Sequence, residues 1–452
     1  MLTILLLAHN TKEQTIRAID HLRRLAEEGE EFALILVDNA STDGLREWAE
    51  IQGDFAYAFM ENGMEPWGSV IRQVLEAFSP DDDILLMQSR FFPAKGTITG
   101  MQELLHENEK CALVTCLTTA SLNGEQRPDE ELENIGEAEA YMEKHINERS
   151  FRILGPHCGM YMLKAEVAAM PDLFDAEIAS LMVLTTMLCL KLIRKGYHSL
   201  LCRSAIAFEE AWEFPEPLDS ILKSGEDKDR IENEWGMHYF GLSANPWIKG
   251  LIDADSDRDL RIMEVGCDCG ASLLDIKNHF PKAITIGCDI STAAVEVAKS
   301  CTDQAFVADI EKEDLPLAED SLDYVIFADV LEHLRDPAKA LRYVLKLLKT
   351  GGKLIASIPN VMHVSVMKQL LAGDFTYTDT GLLDRTHIHL FTFNEIVKIL
   401  KETGFEAEIV ADRPISLSEE DKRLVDGLMS LGGGAERFMF EAFQYHVRAK
   451  KP

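Results

Sequence analysis

The 452-residue chain is short of positive charge: forty-five Lys and Arg stand against seventy-seven Asp and Glu, a formal net charge of −32. Duplex DNA carries one negative charge per ~1.7 Å of axis and would be repelled by such a surface, so bulk nucleic-acid binding is excluded. An anionic membrane surface is disfavoured for the same reason. Long hydrophobic runs are also missing. The longest, Ile178 to Leu190, is bounded by Glu177 and Lys191 and interrupted by Thr185 and Thr186. It falls short of the ~20 residues that span a bilayer and reads as a buried helix. The apolar start, Leu2 to Ala8, has no basic flank and reads as a first strand, not a signal peptide. Nine cysteines make no CxxC pair and no zinc-like Cys/His spacing. Free thiols in a reducing cytoplasm are therefore expected. There is no internal repeat and no low-complexity tract.

What is present is an alternation of strand-like and helix-like segments. Domains usually hold ~100–200 residues, so the length suggests two or three. Thr3–Ala8 and Phe32–Val37 are continuous apolar runs, as expected of parallel strands covered on both faces. Between them Ile16, Ile19, Leu22 and Leu25 fall near one face of a helix. This βαβ pattern implies a parallel sheet over residues 1–206. Residues 207–255 read as an acidic connection, with Pro215 and Pro217, followed by a helical approach to a second domain. Residues 256–452 repeat the alternation, with strands at 260–265, 283–289, 324–329 and 353–358 and a late strand at 440–449. The fold class is α/β throughout.

The second domain carries the sharper motifs. Glu264-Val-Gly-Cys-Asp-Cys-Gly270 follows a strand and precedes a helix, and the next strand ends in Asp289. A glycine turn at a strand's carboxyl end lets backbone approach a ligand, and an acid ~20 residues on can accept from ribose hydroxyls. The turn lacks the G-x-G-x-x-G spacing of a pyrophosphate cradle, which favours a nucleoside cofactor without pyrophosphate. Asp309-Ile310, Asp329-Val-Leu-Glu-His333 and Lys349-Thr-Gly-Gly352 follow in order. As an ordered set these resemble class I S-adenosylmethionine-dependent methyltransferases, whose fold is Rossmann-like. The resemblance implies that Gly266 and Gly270 allow close approach and that Asp289 holds the ribose. It places Asp309 and Ile310 at the adenine and Glu264 at the turn and the methionine amino end. Cys267, Ile290 and Asp329 complete the implied cofactor set. Where the commonest pattern has a middle glycine, this chain has Asp268.

After the fifth strand, segments 358–363 and 370–392 resemble methyltransferases found beside sugar-modifying genes, which implies O-methylation of a sugar. A sugar hydroxyl is a weak nucleophile, so a base or a metal is expected beside it. His333, His387, His389 and Asp384 are the candidate bases, His387 with Asp384 as its orienter. Asp384 to His387 could equally order a loop over the pocket. Asp329, Glu332 and His333 match the spacing of a divalent-metal set in ubiquinone-pathway O-methyltransferases, an option not favoured over an ion-free site.

The front domain resembles the family 2 GT-A glycosyltransferases at Ala8-His-Asn10, Val37–Gly44, Gly155–Met160 and Arg194–Tyr197. The resemblance implies a nucleotide-sugar-like pocket at Asn10, Asp38 and Asn39. Three groups of that family are absent. Asp81-Asp-Asp83 precedes its strand instead of following it and reads as a solvated turn. Leu184–Leu190 holds no carboxylate for the catalytic acid, and no histidine stands near Phe208-Glu-Glu210. Arg90 could take over a metal's charge, while Glu166 or Asp175 would have to supply a missing base.

The expectation is a methyltransferase with a degenerate transferase-like front domain. Its cofactor is S-adenosylmethionine and its acceptor a carbohydrate or glycoconjugate. A nucleotide sugar is a second candidate ligand, and no membrane span is expected. An active bifunctional glycosyltransferase–methyltransferase and a non-catalytic cofactor-binding scaffold are the alternatives.

Overall fold

A computed structural model describes residues 2–79, 81–120, 124–156, 159–210, 231–237, 241–414 and 417–452. His157, Cys158, Pro215 and Pro217 lie outside the described residues. The chain divides into two compact units, Met1–Ala244 and Asn245–Pro452.

The first unit is built on a nine-stranded sheet. Its strands are β1 (Leu2–Ala8), β2 (Ala33–Asp38), β3 (Ala56–Phe59), β4 (Asp83–Gln88), β5 (Phe91–Pro93), β6 (Cys111–Thr118), β7 (Phe151–Ile153), β8 (Met160–Leu163) and β9 (His198–Glu209). The order is β3-β2-β1-β4-β8-β6-β9-β5, with β7 also on β9. Strands β3, β2, β1 and β4 are parallel, and β8 runs antiparallel to both its neighbours. The unbroken apolar run of β1 is buried along its whole length because helices cover both faces. The helix Lys12–Glu27 buries Ile19, Leu22 and Leu25 against this sheet, with Ile16 half-buried. The apolar run of 178–190 becomes the helix Leu181–Arg194, whose start is set by the Ser180 side chain accepting from Val183 N.

The second unit holds a seven-stranded sheet. Its strands are β10 (Arg261–Val265), β11 (Ile284–Asp289), β12 (Gln304–Val307), β13 (Leu322–Ala328), β14 (Leu348–Pro359), β15 (Glu406–Pro414) and β16 (Ala442–Lys450). The order is β12-β11-β10-β13-β14-β16-β15, parallel through β14 and antiparallel from there to β16 and β15. Its core runs along both faces of β10 and β13, from Met263 and Val325 on one to Ile262 and Ile326 on the other. No helix among the described residues is long and apolar enough to cross a membrane.

Both sheets reverse their winding beside their first strand, between β1 and β4 and between β10 and β13. Ligands of open α/β sheets bind at the carboxyl ends flanking such a switch point. The backbone is strained there. Of six described non-glycine residues with positive φ, Asn10 (52°), Ala40 (58°), Asp268 (44°) and Asp329 (56°) lie at these strand ends. Side chains pay sterically for that conformation, and it concentrates where a site is shaped.

The structure corrects two expectations and adds one element. Residues 241–255 hold only the short 3-10 turn Lys249–Leu251, where a longer helical approach was expected. Asp83 is not in a solvated turn. It opens β4 with 7% exposure, and its carboxylate accepts from Ala165 N at 3.1 Å and pairs with His106 Nε2 at 2.6 Å. Strand β15 had no clear sequence signal, because its alternating acids mark an edge strand and not a covered one.

Candidate active site

The crevice of the second unit is shaped first by the turn after β10. Gly266 has φ +69°, and a Cβ there would meet Val330 Cγ2 at 2.5 Å. Gly270, at φ +83°, is the N-cap of the helix Ala271–His279. Asp268 occupies the left-handed region that a glycine commonly fills, which a short polar side chain tolerates. Asp289 ends β11, and its two carboxylate oxygens accept from Asp268 N at 2.9 Å and Ser291 N at 2.8 Å. One carboxylate therefore ties the glycine turn to the next strand's end.

Glu264 lies beneath this turn with 2% exposure. Its Oε2 has no hydrogen-bond partner. Burial, helped by Asp289 and Asp268, pushes its carboxyl up to about 8. A buried acid with an unpaired oxygen next to two other acids is built to meet a cation. Ile290, directly after Asp289, leaves 76% of its surface exposed, and Val307 at the end of β12 leaves 45%. Two bare aliphatic side chains beside a strand-end acid form a surface on which a flat ring can lie.

Other members of the expected cofactor set sit differently. The Cys267 side chain is buried against Gly287, where a Cβ would meet its Sγ at 2.6 Å, and it belongs to the core with Ile262 and Leu273. Only its backbone faces the turn. Ile310 is likewise a core residue at 8% exposure. Asp309 pairs with Lys312 at 2.6 Å and caps Glu311 N at 3.0 Å, and the Lys312 contact holds its carboxyl below the usual range. Val307 escaped the sequence reading because its exposure depends on how β12 ends.

The far wall of the crevice is the segment after β13. Asp329 accepts from Gln444 of β16. The turn Leu331–His333 buries Glu332 to 1% exposure, and neither of its carboxylate oxygens has a hydrogen-bond partner. Burial, with Asp329 and then Asp384 nearby, drives the Glu332 carboxyl well above its ordinary range. His333 and His387 stand edge to face with ring centroids 4.8 Å apart, and His387 Nε2 is 4.0 Å from Glu332 Oε1. The Asp384 carboxylate does not orient the His387 ring: His387 N donates to the Asp384 carbonyl at 3.0 Å, but the side chains take other partners. The carboxylate accepts from Thr386 N and Oγ1 at 2.8 and 2.6 Å and so orders its own loop. The partner of His387 Nδ1 is the Leu382 carbonyl, at 3.2 Å. The fold thus gathers Glu332, His333 and His387, residues 55 apart at the extremes, and turns Asp329 toward Gln444. The His389 side chain is outside this group, with its Nε2 3.3 Å from the Arg335 carbonyl.

Residues 242–409 match the methyltransferase domain family. A ubiquinone biosynthesis O-methyltransferase from Cereibacter sphaeroides is 32% identical over 185 residues, covering 38% of this chain and 73% of the relative. The chain belongs to the methyltransferases. S-adenosylmethionine is the cofactor of such a methyltransferase domain. A tRNA 5-carboxymethoxyuridine methyltransferase from Escherichia coli is 23% identical over 169 residues, covering 34% of this chain and 64% of the relative. The chain spans 57–64% of the length of several curated relatives that it matches. A solved S-adenosylmethionine-dependent methyltransferase from Archaeoglobus fulgidus aligns with 49% of this chain and 98% of its own at 18% identity, with a TM-score of 0.33. The methyltransferase match leaves the first 241 residues uncovered.

The strand-end crevice of the first unit is organised differently. Asp38 and Asn39 are fully buried. Asp38 accepts from Ser41 N at 2.8 Å and from the Tyr57 hydroxyl at 2.9 Å. Asn39 exchanges two hydrogen bonds with the Glu65 backbone, at 2.8 and 2.9 Å. Asn10 accepts from Thr42 N at 2.8 Å. Arg90 does not present a free cation, since it pairs with Glu209 at 3.1 Å and both side chains are largely buried. Glu166 is exposed on a single-turn helix, and Asp175 caps Glu177 N at 3.1 Å.

Proposed function

We propose that the second unit transfers a methyl group from S-adenosylmethionine to a hydroxyl of a carbohydrate or glycoconjugate. The observation that carries the cofactor part is the buried Glu264 with its unpaired Oε2 under the glycine turn. The residues present fit the cofactor. Glu264 would meet the amino group of its methionine end, and a positive charge there returns the carboxyl to its ionised form. Asp289 keeps lone pairs for ribose hydroxyls beyond its two backbone bonds. Ile290 and Val307 would flank the adenine. When bound, the cofactor supplies an electrophilic methyl group on a sulfonium. The protein's part is to hold an acceptor oxygen in line with it, since near-attack geometry accounts for much of the acceleration. The acceptor must also lose a proton, and the Glu332, His333 and His387 group supports that role. Asp384 acts on this group only by ordering the loop that carries His387.

The sugar acceptor rests on the resemblance of 358–363 and 370–392. A second reading, an apolar phenol of the kind the ubiquinone-pathway relatives' name suggests, is favoured by the exposed Leu370, Leu371, Phe375, Tyr377 and Ile388 in the same segment. A tRNA acceptor is disfavoured by the net charge of −32. For the first unit we infer a GT-A-like fold that has lost donor chemistry, supported by the internal bonding of Asp38, Asn39 and Arg90. Residues 1–206, the connection 207–255 and 256–452 remain the proposed division by role.

Calorimetry with S-adenosylmethionine and S-adenosylhomocysteine tests the cofactor, with binding expected from both. Methyl transfer to surface-glycan extracts, to an isoprenoid catechol and to tRNA ranks the acceptors, and transfer to the catechol alone would overturn the sugar reading. Hydrolysis of a nucleotide-sugar panel at enzyme-like rates would establish the bifunctional alternative, while cofactor binding without any methyl transfer would favour the scaffold.

A further inference from the structure

Glu332 has 1% exposure and leaves both carboxylate oxygens without a hydrogen-bond partner. A buried, unpaired acid costs several kcal/mol unless a positive charge meets it. The two histidines facing it are prepared in the same way. His333 Nδ1 lies 3.2 Å from the Thr386 carbonyl, and His387 Nδ1 lies 3.2 Å from the Leu382 carbonyl. A carbonyl only accepts, so each Nδ1 carries the hydrogen and each Nε2 carries the lone pair. Imidazoles fixed through an outer N–H in this manner are set up to ligate through the other nitrogen. One donor atom from each of Glu332, His333 and His387 lies within 4.8 Å of the others. The loop is held in register because Ile388 N and His389 N both donate to the Glu332 carbonyl, at 2.8 and 3.0 Å.

We propose that Glu332, His333 and His387 form a binding site for a divalent transition-metal ion of the Zn²⁺, Co²⁺ or Mn²⁺ class. Two imidazoles with one carboxylate suit borderline metals, whereas Mg²⁺ prefers an all-oxygen shell that keeps its waters. Metal–ligand bonds of ~2.0–2.2 Å put donor atoms about 3–3.5 Å apart, so each side chain closes by about 1 Å on binding. The set differs from the Asp329, Glu332 and His333 spacing that the sequence alone suggested, because Asp329 is engaged by Gln444 and His387 arrives from a distant loop. The ion neutralises Glu332 and pins the 384–389 loop to the turn at 331–333. It also holds and acidifies an acceptor hydroxyl. That last role rests on the proposed methyl-transfer function, whereas ion binding does not.

The test uses the full chain, stripped with a chelator and titrated by calorimetry with Zn²⁺, Mn²⁺, Co²⁺ and Mg²⁺, with Co²⁺ also followed by its visible d–d absorption. One ion per chain is expected, with Zn²⁺ and Co²⁺ bound at least about tenfold more tightly than Mg²⁺. His387→Ala and Glu332→Gln should each weaken Zn²⁺ binding by about tenfold or more, while Asp329→Asn should retain it. Circular dichroism checks that each variant folds, and S-adenosylhomocysteine affinity is recorded alongside. A failure of wild type to bind that ligand would sink the cofactor reading and leave the ion titration standing. Absence of a stoichiometric ion, equal affinity for Mg²⁺ and Zn²⁺, or undiminished binding by a folded His387→Ala would each overturn the proposal. Because the Co²⁺ spectrum is recorded on the unaltered chain, it decides for or against the ion even where a variant does not fold.

Discussion

The two units place polar residues at equivalent strand ends and use them in opposite ways. In the first, Asp38 and Asn39 are hydrogen-bonded to backbone and to Tyr57, and Arg90 faces Glu209. Every one of these side chains has a partner inside the fold. In the second unit, Glu264 and Glu332 are equally buried but keep unpaired oxygens with no cation beside them among the described residues, whereas Glu209 of the first unit, which also has an unpaired Oε2, meets Arg90 through its other oxygen. A polar group bonded within its own unit stabilises that unit. One left unpaired raises the free energy of the empty site, and a ligand of opposite charge can recover that cost. The same crevice geometry therefore describes a framework in one unit and a prepared pocket in the other.

Four substitutions would break or sharpen this contrast. Asp289→Ala should have the largest effect. It removes the acceptor of Asp268 N and Ser291 N, and calorimetry should show cofactor affinity reduced by about 100-fold or more. If affinity stays intact, the crevice assignment is wrong. Gly266→Ala follows. A Cβ at 2.5 Å from Val330 and a left-handed φ should cost about 1–3 kcal/mol of stability, read by urea unfolding, together with loss of cofactor binding. Glu264→Gln tests the prepared charge. The folded carboxyl, at about 8, binds its proton more strongly than the ordinary value of 4.5, so the folded state holds more protons between these limits. Its contribution to stability is full below the lower value and is lost as pH rises through the upper one. The ligand-free variant should lose this dependence and melt ~2–4 °C or more above wild type near pH 8, while binding cofactor roughly tenfold more weakly. Equal pH profiles for the two proteins would refute the charge argument. The smallest effect on the pocket belongs to Asp38→Ala in the first unit. It should cost about 1–3 kcal/mol of stability and leave cofactor affinity unchanged, because the role of Asp38 is to satisfy Ser41 N and Tyr57.

How far the sequence could be read varied with the kind of signal. The glycine turn and the acid ending β11 were legible because a strand, a sharp turn and a helix each leave a local pattern. The place of Ile310 was not, since a strand-end aliphatic can turn inward to the core or outward to a ligand, and here Ile290 and Val307 are the outward ones. Asp83 was misread as solvated because a run of acids carries no record of the His106 and Ala165 that cover it. Strand β15 was missed because edge strands carry weak apolar alternation.

The sequence by itself determined the α/β class, the order of the strand-end motifs and the acidic surface, all of which follow from local periodicity and composition. Only the tertiary structure decided which carboxylates are paired and which are orphaned, and that His387 and not Asp329 joins Glu332 and His333. Those outcomes depend on contacts between residues far apart in the chain, such as Gln444 with Asp329, and on loop contacts such as Leu382 with His387, whose geometry is set by sheet order and loop closure. Spacing along a strand end can nominate a set of ligands, but side-chain direction and burial decide which of them face one another.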